Sequence, residues 1–342
     1  MSINKRITHI ESAPPPPTYG FNTILYTGDR PTNAPKTGMG FKPDLVVIKD
    51  RDAADFWSVL DSSRGANMIS WDSTNASSSF SPFTFDADGF TVGSSGQANS
   101  NGNDLVAYGW GCNGGTTSSD TNGSITSTVQ VNNTAGFSIV QYTANGTGGA
   151  TVGHGLNSAP ELIILKNLDR AGYGWLVYHK DISPNSAIVL NTTDAKTTGA
   201  GYFNNTATTS TVFTLGSDTF GNYNGDDYVA YCWHSVSGFS KIGSYTGNGS
   251  TSGPSITTGF QVDWLLVKDE GTGNSWRILD SKRDTSNPRN VYLDPNSNAA
   301  EGTSIYSNVD FNSNGFQLKN LGSNYNNSGR TYLYWAINHN TN

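Results

Sequence analysis

Gly40-Phe41-Lys42-Pro43-Asp44-Leu45-Val46-Val47-Ile48-Lys49-Asp50 decides how this chain reads, because it occurs three times in altered spelling. It returns as Gly155-Leu156 followed by Pro160-Glu161-Leu162-Ile163-Ile164-Leu165-Lys166-Asn167. It returns again as Gly259-Phe260-Gln261-Val262-Asp263-Trp264-Leu265-Leu266-Val267-Lys268-Asp269. The three lysines stand roughly 100 residues apart, the size of a small domain. Solenoid and propeller units are shorter, roughly 20 to 50 residues. A continuous run such as Leu45-Val46-Val47-Ile48 predicts a strand covered on both faces and central in its sheet.

Further landmarks recur in the same order. Each copy opens with Gly-Phe leading to Tyr-Thr: Gly20-Phe21 to Tyr26-Thr27, Gly136-Phe137 to Tyr142-Thr143, and Gly238-Phe239 to Tyr245-Thr246. Behind the lysine strand comes an indole inside an apolar strand: Trp57, Trp175 and Trp276. Each copy closes on an aromatic strand carrying Trp110, Trp233 or Trp335. Copies one and three also share Asp61 with Arg64 and Asp280 with Arg283, where copy two has His179-Lys180-Asp181.

Helical periodicity is nearly absent. In copy one, seven short apolar or alternating runs lie between Gly, Asn, Ser and Asp clusters, which is the spacing of strands between turns. Seven strands in one copy fit an antiparallel β-sandwich. Asp88-Gly89 and Asn314-Gly315 supply the positive φ of tight hairpins. The predicted fold is therefore all-β: three tandem antiparallel β-sandwich domains behind an extended N-terminal arm. Residues 1–18 form the arm, 19–113 the first sandwich, 114–135 a connector with one added strand from Ile125 to Val131, 136–236 the second sandwich and 237–342 the third. The arm ends in Pro14-Pro15-Pro16-Pro17, which extends as a stiff polyproline II spacer.

Bulk properties exclude several functions. Net charge is −7 and the charged fraction 14%, without the basic face that nucleic acid demands. No apolar run approaches the roughly 20 residues of a membrane span. The N-terminus lacks the apolar core of a secretory signal, so synthesis in a cytoplasm is expected. Cys112 and Cys232 occupy unmatched positions, which argues for free thiols and against a disulfide framework.

The search for chemistry returns little. His9, His154, His179, His234 and His339 are scattered without zinc spacing, and no phosphate loop or serine elbow appears. Asp310 to Gly315 resembles the start of a calcium loop, but Leu321 stands where the closing glutamate belongs. No catalytic residue, metal or cofactor is expected. Lys49 and Lys268 are expected to lay their stems on the sheet and to pair with Asp61 and Asp280. The six recurring indoles, Trp57, Trp175, Trp276, Trp110, Trp233 and Trp335, are expected as core anchors. Three aromatics break the repeat and are the candidate ligand contacts: Trp71, and Tyr223 and Tyr325 in polar loops where a ring can stack on a sugar. Packing of loop on domain is the competing role for all three.

With these segments in hand, the chain resembles a family of tailed-bacteriophage virion proteins, of the marine and cyanobacterial phage type, that carry repeated sandwiches of concanavalin, laminin-G or jelly-roll kind. Phe21 to Gly28, Gly40 to Lys49, Asp61 to Gly65, Ser124 to Val129, Ala135 to Val140, Val152 to Leu156, Val212 to Gly216 and Tyr228 to Cys232 carry the resemblance. It implies a particle-borne tail, fibre or surface protein with no active site to transfer; separately, the arm, residues 1–18, is expected to dock to other virion proteins, and the chain is expected to form a homo-oligomer. The leading expectation is a non-enzymatic tail or fibre-type adhesin displaying three sandwiches to host-surface glycans, where linked weak sites add through avidity. A capsid decoration or cement protein is the alternative. A glycan-cleaving enzyme is third, since it requires two carboxylates roughly 5 to 10 Å apart in a cleft.

Overall fold

The computed structural model describes residues 20–339 apart from 33, 81, 200, 307, 320, 321 and 323. The expected arm, with His9, and Leu321 lie outside the described residues. The chain is all-β, and every pair of named strands is antiparallel. Helix among the described residues is limited to single turns at Gly96–Asn99 and Thr219–Asn222.

Each repeat builds the same four-stranded unit. Its opening strand (Phe21–Thr27, Phe137–Thr143 or Ser240–Thr246) pairs with the closing strand (Asp104–Trp110, Asp227–Trp233 or Thr331–Ile337). The closing strand pairs with the lysine strand (Leu45–Asp50, Leu162–Asn167 or Trp264–Asp269). An outer strand follows (Ser58–Asp61, Leu176–His179 or Arg277–Asp280). In the second repeat the connector adds Ser127–Asn132 and Ser118–Asp120 beside the opening strand. Two more strands join at the far edge, giving eight in all.

The lysine strands are buried throughout, as their apolar runs predict, and period-2 alternation sends neighbouring side chains to different places. In the first repeat Val46 and Ile48 join Phe83, Phe90 and Val92 of a small opposing sheet. Leu45 and Val47 face the other way, into a core shared by all three repeats. The second and third repeats repeat the division, with private cores around Phe213 and Phe316. The shared core holds Trp57, Trp71, Trp110, Trp175, Trp233, Trp264, Trp276 and Trp335. Trp335 packs 4.6 Å from Trp233, 5.0 Å from Trp264 and 5.7 Å from Trp110, ring centre to ring centre. Beads on a string would leave that face to water; here the two other repeats cover it.

Contacts between repeats run in a closed circle. Trp175 Nε1 of the second repeat donates to the Ser70 carbonyl of the first at 2.7 Å. Trp276 Nε1 of the third donates to Val189 of the second at 3.2 Å. Trp57 Nε1 of the first donates to Asp294 and Ser297 of the third at 3.2 and 3.1 Å. Backbone bonds follow the same path: Ser77 N to Leu168 O, Lys196 N to Glu270 O, and Glu301 N to Arg51 O, each at 2.8 Å. Burying these three indoles this way satisfies their donors while removing large apolar area from water; the Nε1 atoms of Trp71, Trp110, Trp233, Trp264 and Trp335 are buried with no bond among the described residues.

Two hairpins differ from expectation in one respect. Gly89 and Gly315 take positive φ (134° and 146°), but Asp88 and Asn314 do not. A β-carbon at either glycine would run into the carbonyl of Lys36 or Ile256 on the adjacent strand. Close approach of strand to strand, as well as φ, reserves these positions for glycine.

Candidate functional site

The recurring lysines do not pair with the aspartates. Register explains why: Asp61 lies opposite Leu45, and Lys49 is four residues further along, about 13 Å at strand rise. Lys49 Nζ instead donates to the Asp50 and Ala53 carbonyls at 2.7 and 3.1 Å. Lys268 reaches Asn274 O at 2.6 Å and Thr193 O of the second repeat at 2.9 Å. Lys166 meets Tyr173 O at 2.9 Å. Burial pulls the Lys166 and Lys268 ammonium groups down to about 8, in Lys268 against the opposing pull of Asp269 and Asp194.

The aspartates pair with arginines three residues on, Asp61 with Arg64 at 2.6 Å and Asp280 with Arg283. Each carboxylate also accepts a tyrosine from another repeat, Tyr231 at 2.7 Å and Tyr108 at 2.9 Å. The third junction replaces the whole set. His179 stands where the others have aspartate, Ile182 where they have arginine, and Trp335 where they have tyrosine. His179 packs beside Trp335 and Leu266, and burial drops its imidazole to about 4. These titratable groups are all buried, none more than 9% exposed.

Closing strands align by register against the lysines. Trp110 and Trp233 face Leu45 and Leu162, and Ile337 faces the equivalent Trp264. Trp335 therefore corresponds to Tyr108 and Tyr231, two residues from where matching aromatic letters puts it. All six recurring indoles are at most 3% exposed.

Two of the three candidate ligand aromatics are interior. Trp71 is buried in the shared core, 5.5 Å from Trp57. Tyr325 is fully buried in the third private core. Tyr223 is half-buried, with the Arg170 guanidinium 4.0 Å over its ring and Tyr173 at 6.1 Å. The two tyrosines are not equivalent. A buried asparagine recurs in every repeat, Asn99, Asn222 and Asn326, holding the loop through its side-chain amide. Tyr325 precedes this asparagine and Tyr223 follows it. The opening-strand tyrosines confirm the alignment: Tyr26, Tyr142 and Tyr245 donate to the carbonyls of Ala98, Gly221 and Tyr325. The position before the asparagine points inward and the position after it points out.

Two surface hollows border the connector strands. One, of about 230 Å³, is walled by Thr126, Thr128, Gln141, Thr143 and Asp227, with Leu168 at its side. The other, of about 470 Å³, is shallower and is lined by Ser119, Asp120, Asn122 and Asn133, with Val129 and Val131. None of these residues is among the ligand contacts expected from the sequence. The one signal was that 114–135 has no counterpart in the other repeats. Among the described residues no group of three or more His, Cys, Asp or Glu is arranged to hold a metal ion. Cys112 and Cys232 are free thiols.

Comparison with known proteins matches residues 16–340 to one family, described as a domain of unknown function. No curated protein matches the sequence. That match spans all three repeats and the connector, so the chain belongs to the DUF7483 family.

Proposed function

We propose that this chain is a non-enzymatic structural protein of a tailed-phage particle that holds a host-surface partner. In this reading 19–113, 136–236 and 237–342 are three sandwich domains closed into one rigid head, and residues 1–18 dock to neighbouring virion proteins. The observation that carries the proposal is the circle of indole-to-carbonyl bonds from Trp57, Trp175 and Trp276. Two of the repeated lysines also reach across: Lys268 donates to Thr193 of the second repeat at 2.9 Å and Lys166 to Thr74 of the first at 3.5 Å. Repeated residues committed to cohesion are what a stiff display element needs, whereas catalysis tunes such groups within an accessible cleft. The likeness of Phe21 to Gly28 and Gly40 to Lys49 to virion sandwich proteins adds the particle context. The weakly charged surface, rich in Thr, Ser and Asn, suits hydrogen bonding to polyhydroxyl ligands.

Quantitative mass spectrometry of purified particles tests the reading. An adhesin is present in few copies, fixed by tail symmetry. A high copy number together with binding to empty capsids replaces it with a cement protein, and absence from particles overturns the virion assignment altogether.

A further inference from the structure

We infer that the hollow on the sheet face where the connector strand Ser127–Asn132 pairs with the opening strand of the second repeat is a binding site for a single ring of a neutral saccharide. This deepens the attachment reading and rests on it for biological context, but its chemistry stands on the residues.

The groove exists because one strand outruns its cover. Along Phe137–Thr143, the face toward the shared core runs Phe137, Ile139, Gln141, Thr143. Phe137 and Ile139 are buried there. On the neighbouring connector strand, Gln130 lies opposite Ile139 and is sealed against the first repeat by bonds to Ser62 and Ser63. One step further, Thr128 lies opposite Gln141 and is exposed. Beyond that point the first repeat no longer covers the sheet, and the residues turn polar.

The lining selects the ligand class. Thr126, Thr128 and Gln141 make no side-chain hydrogen bond among the described residues and border the same 230 Å³ space. Asp227 is oriented by Thr143, whose Oγ1 donates to Oδ1 at 2.7 Å, and its second oxygen makes no bond among the described residues. An amide and a carboxylate each bridge adjacent hydroxyls, the hydroxyls of threonine fill in as donor or acceptor, and Leu168 offers an apolar contact for the sugar's C–H face. No lysine or arginine lines the space, so phosphorylated, sulfated or carboxylated sugars find no counter-charge. The volume lies below the usual range of drug-sized pockets, which fits one ring bound weakly, with a Kd on the order of millimolar.

The first repeat supplies an internal control. Thr27 donates to Asp104 in the equivalent place, at 3.2 Å. Among the described residues it has no strand beside Phe21–Thr27 on that edge, and Leu25 stands where the second repeat has Gln141.

The test is saturation-transfer NMR on the full chain with methyl glycosides of glucose, mannose and galactose, and with sialic acid as the anionic probe. Transfer to at least one neutral glycoside is expected, cut by tenfold or more in Thr128→Trp, which fills the hollow, and in Asp227→Ala. Asp104→Ala is expected to leave it unchanged, with thermal melts showing all three variants folded. No transfer to any neutral glycoside, preference for sialic acid, or equal transfer in Thr128→Trp and wild type would overturn the site. Particle mass spectrometry reads the virion assignment separately, so the two can fail independently.

Discussion

Tyr231 of the second repeat donates its hydroxyl to Asp61 of the first at 2.7 Å, in a region where both side chains are out of reach of water. Arg64 binds the same carboxylate and also reaches the Tyr231 hydroxyl at 3.3 Å. A buried ion pair is costly to desolvate and holds only when its remaining hydrogen bonds are made. Tyr231→Phe removes the hydroxyl that bonds both Asp61 and Arg64 across the junction and is expected to lower stability by about 1–3 kcal/mol. Asp61→Ala leaves Arg64 buried without its carboxylate and is expected to cost about 3–5 kcal/mol. Urea denaturation of both variants measures the difference; a Tyr231→Phe midpoint equal to wild type would deny the junction bond its role.

Asp72 gives a prediction of opposite sign. Its Oδ1 accepts the Trp57 amide at 3.1 Å, while Oδ2 is buried with no bonding partner. Burial, partly offset by that amide, raises its pKa to about 6. The second and third repeats place Asn191 and Asn296 in the same role. A carboxyl raised in the fold favours the folded state fully below its unfolded value and loses that contribution as pH climbs through about 6. Asp72→Asn is therefore expected to stabilise the protein at pH 7.5 by on the order of 1–2 kcal/mol, with little effect at pH 4. Melting temperatures at the two pH values check this.

Acid should act on the junctions through histidine. His339 accepts or donates a bond with Thr23 of the first repeat at 2.8 Å and stacks 5.2 Å from Phe21. Burial lowers both His339 and His179 to about 4, against the opposing pull of Asp263 and Asp280 on His339 and of Asp181 on His179. Lys282 and Lys180 push in the same direction as burial. Imidazoles lowered in the fold contribute stability above their unfolded pKa of about 6.5 that drains away as pH falls toward 4. Stability is expected to fall across that window, and His179→Phe to flatten the slope. A slope unchanged in the variant would assign the acid sensitivity elsewhere.

Single repeats are expected not to stand alone. Residues 136–236 in isolation would expose Leu162, Ile164, Trp175, Val177, Tyr231 and Trp233 on one sheet face. A contiguous apolar patch of this kind drives association. The fragment should sediment as an oligomer or aggregate, while the full chain remains dispersed. A folded monomeric fragment in analytical ultracentrifugation would contradict the shared core.

Sequence alone determined that strands, not helices, build this protein, that they come in three matched sets, and that Leu45–Ile48 and its counterparts are covered on both sides. Those properties are local: alternation, turn residues and unbroken apolar runs follow from the geometry of one strand. Tertiary structure alone decided what does the covering, because an apolar side chain records burial but not its neighbour. Register was equally out of reach. Shifting Trp335 by two residues keeps it on the same face, so the letters match while the partners change, and Lys49 and Asp61 sit close in sequence yet at different ends of paired strands. Tyr223 and Tyr325 lie in loops of nearly the same spelling, and one position on either side of a buried asparagine sends one ring outward and the other into the core. The hollow beside Thr128 arises where one repeat stops covering the next, a boundary set by three-dimensional packing and invisible in the order of residues.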